Sequence, residues 1–537
     1  MGKKGNFKNL TRREFLYLSG MGMAGMAGMA GTSLPAWAQG VGEKAKYGGR
    51  FRSGVRFASA GLDAHKNQDF ADYLNYCLMY GALTEQGNLP QVEIHPLLAK
   101  SWEISKDGRE YTFALREGVK FHHGKELDSG DVKYSLDRVM NPATRAPRAF
   151  AFRWVDSVQV IDKFNIKIRL KEPFAPFLSS LTVANCAIIP SGWEPAGTKP
   201  APGTGPFIVK NFVPNDSIEF TRFNQYWEMD EKTGDRLPYL DSVYQKKMVD
   251  EAVRWTALRA GDLDMVDVPP LNVVAKAVLE NPVPGITIDY DSIGNGWIWF
   301  NVNKPPYDNK KVRQAIAYGI DKEKILKAVY WGLGGIENNQ PFPKVSRFYI
   351  PVKDREVDLS KARQLLSEAG YPHGFKTEIL TYSTTYDVAG CQATVGQLKE
   401  IGIDATVKVV DRAPYYTMMR KGEYSISYRG DSERFDWDDA FYMYFHSSEI
   451  DKNNWSRYRS KEMDELLEKG RLTMDWEERK AIYTKVVEII KEDLPIFYVL
   501  KNVIGIAFRD YVKGYRKGFS MRFAWHGGGT KYWWLDK

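Results

Sequence analysis

Capped, helix-spaced segments alternate with short strand-like runs over the second half of the chain, and this alternation constrains the fold more than any other feature. Asp308 opens a segment bearing Val312, Ala315 and Ile316, and Asp321 opens another bearing Ile325, Leu326 and Val329. Ser360–Gly370 carries Ala362, Leu365, Leu366 and Ala369 on one face, with Gly370 as a left-handed stop and Pro372 preventing continuation. Asp475 and Glu478 have capping-box spacing ahead of Ala481, Ile482, Val486, Ile489 and Ile490. Between these stand Ile298–Val302, Ala405–Val410 and Ile496–Leu500, which read as strands. Elements that alternate in this way pack as layers about a mixed sheet, so the expected class is α/β.

The first half predicts a hairpin in Ser101–Phe121, where Tyr111, Phe113 and Leu115 alternate beyond a Lys106-Asp107-Gly108 turn. A helix should start at Asp128–Ser129, with Val132, Ser135, Leu136 and Val139 on one face. At 537 residues the chain is long enough for about three domains. It has no repeat, low-complexity tract or evident linker, so the domains should be built from interleaved segments. Half of the net charge of +8 sits in the first 38 residues, and the remaining bias is too weak for a nucleic-acid partner. Lys163–Lys171 alternates charged with apolar residues as a half-solvated strand would.

The N-terminus has the marks of an export signal. Thr11-Arg12-Arg13-Glu14-Phe15-Leu16 precedes a Gly/Ala/Met-rich stretch, and Pro35-Ala36-Trp37-Ala38 supplies a small-x-small cleavage site. Paired arginines ahead of Phe-Leu, with an apolar core diluted by glycine, resemble a twin-arginine signal. The dilution argues against a membrane anchor, because no uninterrupted run of about 18 apolar residues occurs. Arg12, Arg13, Ala36 and Ala38 carry this reading. The mature chain is expected to begin at Gln39, outside the cytoplasm.

Cys77, Cys186 and Cys391 cannot all pair and have no metal-ligand spacing, so they read as free thiols in apolar surroundings. No nucleophile elbow, HExxH, Walker A loop or dinucleotide-binding glycine motif is present. Gly203-Thr204-Gly205-Pro206-Phe207 holds only GxG, and Pro206 withholds an amide that a phosphate cradle would use; it reads as a tight backbone crossing. His122-His123 reads as a turn-flanking surface pair, since adjacent strand side chains face opposite ways. The acid-rich run from Asp431 to Asp439 invites a glycoside hydrolase reading, because two suitably spaced carboxylates suffice for that chemistry. Aromatic residues are 13% of the chain, and those beside charges at Tyr428-Arg429-Gly430-Asp431 and Phe435-Asp436-Trp437 suit an enclosed ligand pocket.

Pro96-Leu97-Leu98-Ala99-Lys100-Ser101-Trp102-Glu103, Tyr111-Thr112-Phe113-Ala114-Leu115-Arg116-Glu117-Gly118-Val119-Lys120-Phe121-His122 and Asp131-Val132 carry a resemblance. With Gly203–Phe207, Lys304-Pro305-Pro306, Val312-Arg313-Gln314-Ala315, Ile320-Asp321-Lys322, Ala369-Gly370-Tyr371-Pro372 and Asp493-Leu494-Pro495, they resemble the family 5 extracellular solute-binding proteins. That family includes the dipeptide- and oligopeptide-binding receptors of ABC importers. The likeness runs from about Gly48 to Gly514.

The resemblance implies an α/β, type II periplasmic-binding-protein fold, with two lobes around a ligand cleft plus an extra domain. The implied boundaries are 39–72, 203–293 and 505–537 for a discontinuous domain I, 73–202 for domain II and 294–504 for the opposing lobe, after a signal peptide over 1–38. Hinges are expected near Gly205 and Asn295-Gly296. The implied function is a monomeric periplasmic receptor, without catalytic residues, cofactor or metal. It captures a peptide or peptide-like solute by lobe closure and delivers it to an inner-membrane permease with its ATPase. The alternatives are an oligosaccharide or other non-peptide receptor, an exported hydrolase, and a signalling receptor or peptide holder on the same fold.

In the peptide-binding members an aspartate after an aromatic-x-Gly stretch holds the ligand's amino group, and Asp431 aligns with it. The usual Asp-Pro-Asp reads Asp436-Trp437-Asp438 here. The arginine that dipeptide binders use for the ligand carboxylate would lie near Tyr382–Asp387, where none stands; Arg429 offers that charge instead. The expected contact set is Asp431, Arg429, Tyr428, Trp437, Asp436 and Trp297, with Asn67, Gln68 and Asp69 approaching from the other lobe.

Overall fold

Strand β1 (Arg50–Val55) belongs to a long mixed sheet whose members come from widely separated parts of the chain. The computed structural model describes residues 44–67, 70–87, 92–195, 198–336, 338–430, 436–516 and 529–537. Ala45–Lys537 forms one compact unit, while Met1–Lys44 lies almost wholly outside the described residues. After helix α1 (Phe70–Met79) the chain builds a separate antiparallel sheet from β2 (Ala99–Ile104), β3 (Glu110–Leu115), β4 (Val155–Asp162) and β5 (Asn165–Leu170), in the order β2-β3-β5-β4. The expected hairpin is β2–β3, with Trp102 opposite Phe113. Asp128 caps α2 (Ser129–Met140) in a reciprocal box with Asp131. Phe113, Leu115, Phe121, Leu136, Ile166 and Ile168 fill the core of this sheet and helix.

The chain then returns to the long sheet. β6 (Phe207–Val213), β7 (Ser217–Arg222), β8 (Ser242–Lys247) and β9 (Met265–Asp267) complete its first half, with α3 (Glu251–Ala260) between β8 and β9 and with β1 parallel to both of these strands. β10 (Ile286–Phe300) leads into the second half, where β11 (Phe375–Tyr382) runs parallel to β12 (Ile403–Val410) and to β13 (Ile426–Tyr428). β14 (Ile496–Arg509) leads back, antiparallel to β10 along its length and to β9 at its end. The order is β12-β11-β13-β10-β14-β9-β1-β8-β7-β6. Register shifts interrupt β10 between Asp291 and Gly294 and between Gly296 and Trp297, the stretch expected to hinge.

Helices cover both faces of the second half. On one, α4 (Lys310–Gly319), α5 (Lys322–Tyr330), α6 (Leu359–Glu368) and α7 (Thr385–Glu400) pack Ile316, Ile325, Leu366 and Leu398 against Ile298, Ile379 and Ile426. On the other, α8 (Arg412–Lys421), α9 (Trp437–Phe445), α10 (Lys461–Leu472) and α11 (Trp476–Asp493) enclose an aromatic-rich cluster. Caps form at Asp321, Asp358 and Asp475, and Gly370 has φ +92°. The start of α4 is one residue later than expected. Asn309, whose Oδ1 accepts from the Lys311 amide, is its cap, and Asp308 instead accepts from the Asn309 amide. Cys186 and Cys391 are buried, Cys77 is half-buried, and none of the three forms a disulfide. Among the described residues no helix is long and apolar enough to cross a membrane.

Gly203 and Gly205 form the tight crossing. The Gly205 amide donates to Met79 O, and the Gly81 amide donates to the Thr204 hydroxyl. The glycines serve close approach here, since a Cβ at Gly205 would stand 2.5 Å from Leu78 O. His122 corrects a second expectation, because it is half-buried and clasps the returning chain. Its Nδ1 accepts from the Gly203 amide at 3.2 Å, so Nε2 carries the proton and donates to Gly205 O at 3.0 Å.

His65 is held in a similar way, with one ring nitrogen on Ala187 O and the other accepting from Arg138. Burial pushes both histidines down to about 4, with Arg138 opposing protonation of His65 and His123 opposing that of His122. An unfolded histidine titrates near 6.5, so below that pH the unfolded chain takes up protons that the native one refuses. Stability should therefore fall as the pH drops from about 6.5 toward 4, by at most about 3 kcal/mol for each histidine. Urea titrations should show a pH slope smaller by about one proton in His122→Asn. Parallel profiles for variant and wild type would refute the clasp.

Candidate functional site

In open α/β sheets ligands bind outside the carboxyl ends of the parallel strands, and here two sets of such ends meet. In the first half, β1 ends at Val55 and β9 at Asp267; in the second, β11 ends at Tyr382 and β13 at Tyr428. The residues just beyond these ends gather into one cluster. Arg412, at the start of α8, lies 5.8 Å from the Phe57 ring, joining the two halves. Tyr386 packs against the hydrophobic clusters of both.

The cluster alternates guanidinium groups with aromatic faces. Arg56 stands 4.9 Å from the Phe57 ring, and Arg412 lies between Phe57 and Tyr416. Arg429 is within 4.6 Å of the Tyr416 ring and 5.0 Å of Tyr382, with Tyr415 and Trp455 further out. Such contacts attract through the ring quadrupole and leave the guanidinium edges directed elsewhere.

Two buried carboxylates balance part of this charge. Asp387, in the first turn of α7, accepts from the Thr384 hydroxyl and the Gly430 amide. Burial pushes its carboxyl up, opposed by Arg429 of its own half and Arg56 of the other. Asp267 accepts from the Arg56 amide at 3.0 Å and pairs with Arg254 at 3.2 Å. Burial pushes it up as well, opposed by Arg56 and Arg254. Three arginines and two carboxylates thus gather at one cleft, an arrangement that can read both ends of a zwitterion but, among the described residues, brings no nucleophile beside a base.

Residues 93–453, well over half of the chain, match the pattern of the bacterial extracellular solute-binding proteins, family 5. The chain belongs to that family. This family 5 protein is 30% identical to heme-binding protein A of Haemophilus influenzae, over 79% of this chain and 82% of the relative. It is 26% identical to the dipeptide-binding protein of Escherichia coli, over 81% and 86%. The periplasmic binding protein DppA of Helicobacter pylori, solved with the peptide STSA, superposes with a TM-score of 0.78 at 28% identity, covering 92% of this chain and 99% of that one. The fold is accordingly that of a type II periplasmic-binding protein, and the chain is a solute-binding protein of the kind that serves ABC importers.

In this family 5 protein the signature around Tyr111–His122 is scaffold, buried in the four-stranded sheet or clasping the glycine crossing. Of the expected contacts, Asp431, Gln68 and Asp69 lie outside the described residues, as do Arg12, Arg13, Ala36 and Ala38. Arg429 is in the cleft cluster. Asn67 is half-buried, and its carbonyl accepts from Asn185 Nδ2.

The structure corrects the remaining expected contacts. Trp437 is wholly buried, stacked between Trp476 at 4.7 Å and Tyr483 at 5.3 Å, and its Nε1 donates to Phe348 O. Trp297 is enclosed by Trp299, Tyr444 and Tyr498. Tyr428 is a core residue, its hydroxyl lodged where a Cβ at Gly296 or Gly390 would stand. Asp436 caps α9 and pairs with buried Arg479. Rings this deeply covered have no face left for a solute, and the Asp436 carboxylate is committed to Arg479 and the helix cap.

Arg56, Phe57, Asp267, Tyr386, Asp387, Arg412 and Tyr416 escaped the sequence reading. One signal was available, since each stands within a few residues of the carboxyl end of a strand.

Proposed function

We propose that this protein captures a small peptide-like solute bearing at least one carboxylate, in the cleft between the two halves of its long sheet, and delivers it to an inner-membrane permease. The observation that carries this reading is Arg429, set among tyrosine rings beside Asp387 and facing Arg56 and Arg412. Arginine suits a carboxylate because its planar fork matches both oxygens. Asp431, following Gly430, takes the solute's amino group. Relatives named for a dipeptide and for glutathione support the class. The sugar-receptor alternative loses Trp297 and Trp437 to the core, and with them its stacking surfaces.

Closure turns on the β10–β14 crossing, with Arg412 meeting Phe57 as the halves come together. The moving parts are domain I (39–72, 203–293 and 505–537) with domain II (73–202), against the lobe 294–504. The protein acts as a monomer in the periplasm, reached by twin-arginine export and cleavage after Ala38.

Native mass spectrometry of periplasmic protein should give a chain starting at Gln39 with its co-purified solute. Calorimetry with a panel of free and amidated dipeptides and tripeptides then tests the site. Asp431→Ala and Arg429→Gln should each weaken the best free peptide by about 2–4 kcal/mol, because each leaves a buried charge unpaired. Unchanged affinity in Arg429→Gln with the fold intact, or amidated peptides binding as well as free ones, would remove the carboxylate from the reading.

A further inference from the structure

Arg471, in the last turn of α10, is a buried arginine that the solute cleft does not use. Its Nε and Nη2 donate to Asp438, in the first turn of α9, through bonds of 3.0 and 3.1 Å. The edge of the guanidinium is thus spent, and its faces meet rings. Tyr442 lies 3.3 Å away and is itself stacked on His446 at 4.2 Å. Phe174 and Trp154 stand at 5.7 and 5.9 Å and stack on each other at 5.7 Å. Tyr442 belongs to the aromatic cluster of α8–α11, whereas Trp154 and Phe174 belong to the cluster of the four-stranded sheet, so Arg471 joins two separate cores.

Further contacts cross the same boundary. The Ala175 amide donates to Arg471 O at 2.9 Å. Arg153 reaches Trp154 at 5.1 Å and Tyr442 at 5.8 Å. Met474, just beyond α10, lies against the β2–β3 turn, where a Cβ added to Gly108 would stand 3.0 Å from Met474 Cγ. Beside these points the faces do not fill, and a cavity of about 350 Å³ lies between the segment 148–183 and the α9–α10 face. Unfilled space forfeits dispersion contacts, so this junction is held at a few polar and cation–π points and by no continuous core. Such an interface resembles a transient one and can part without unfolding either side.

We propose that the junction is a closing latch: Arg471 docks on the Trp154–Phe174 pair as the lobe 294–504 closes, and holds domain II against that lobe before a solute arrives. The inference rests on the lobe closure proposed above and makes domain II a working part of it. Each residue has a role. Asp438 fixes the plane of the guanidinium, Tyr442 backs one face, and Trp154 and Phe174 receive it from across the boundary, where exclusion of water strengthens a cation–π contact. Asp438 also follows Asp431 closely in the chain, so the helix end that holds Arg471 adjoins the segment assigned to the solute. A receptor biased toward its closed form spends less of the binding free energy on closing, so the latch raises affinity without touching the solute.

The test uses the full mature protein, stripped of solute by partial denaturation and dialysis, and reads amide hydrogen exchange at Ala175 together with small-angle scattering. In wild type the Ala175 amide should be protected, yet exchange faster than the amides of Phe113 and Ile166 in the core of the four-stranded sheet, because the junction opens without unfolding domain II. Trp154→Leu and Arg471→Lys should each speed Ala175 about tenfold, as expected for loss of one desolvated cation–π contact, and raise the radius of gyration. The double variant should go little further, since both changes remove the same contact. Phe113 and Ile166 separate a latch from general damage, which would speed all three amides alike. The proposal is overturned if Ala175 in wild type is unprotected or as slow as Phe113 and Ile166, if either variant leaves its rate or the radius of gyration unchanged, or if all three amides accelerate together. No peptide enters these measurements, so failure of the peptide-receptor reading, seen in the calorimetry panel, would leave them standing.

Discussion

Gly203→Ala is expected to cost about 4 kcal/mol or more and to deplete soluble protein, the extreme end of single substitutions. A Cβ at this position would stand 1.7 Å from Met79 O and 2.8 Å from the Tyr80 ring. The nearest atom belongs to the main chain, so no change of rotamer relieves the clash. Relief requires α1 to separate from the strand that follows the crossing, which also breaks the bonds from the Gly205 amide to Met79 O and from the Gly81 amide to the Thr204 hydroxyl. Gly396→Ala is the control: Gly396 lies inside α7 with nothing within 4 Å of an added methyl. That substitution should be neutral, or stabilise by up to about 1 kcal/mol, because alanine is the better helix former. Urea unfolding of the two variants measures the contrast, and equal effects at both positions would refute the crossing.

Asp436→Ala should destabilise by about 3–5 kcal/mol, because it strands the charge of Arg479 inside the protein. Arg479 is only 4% exposed, donates Nη1 to Asp436 at 2.8 Å and Nε to Gly470 O at 3.0 Å, and lies against the Trp437 and Tyr483 rings. The carboxylate also accepts from the Asp438 amide as the cap of α9, a contribution of about 1 kcal/mol within the total. Removing both partners should be milder than removing one, since the desolvated charge disappears with its counter-ion. Asp436→Ala/Arg479→Met should therefore recover at least about 2 kcal/mol of the loss. A contact residue for the solute would behave otherwise: Asp436→Ala would then leave the urea midpoint alone and weaken the peptide in calorimetry.

What was legible in the sequence is what neighbouring residues settle between themselves. Asp128, Asp321 and Asp475 could be read as caps because a cap bonds to an amide three residues ahead, and the β2–β3 hairpin because its turn lies between its strands. The crossing at Gly203–Gly205 could be read from glycines beside a proline, and the family from a run of scaffold residues. Arg429 was found through the motif that carries it.

Only the tertiary structure could say which aromatic residues are core. Trp437 stands between two charges in sequence and Trp297 beside a glycine, yet each ring is covered by partners from other elements, and burial is a property of those partners. His122 reads as a surface residue until the chain returns with Gly203 to meet it. The cleft was illegible for the same reason: Arg56, Asp267, Asp387 and Arg429 lie far apart along the chain and meet only because parallel strands from two halves of a sheet end at one place. Local bonding is written between near neighbours, whereas burial and the meeting of charges depend on where distant segments pack.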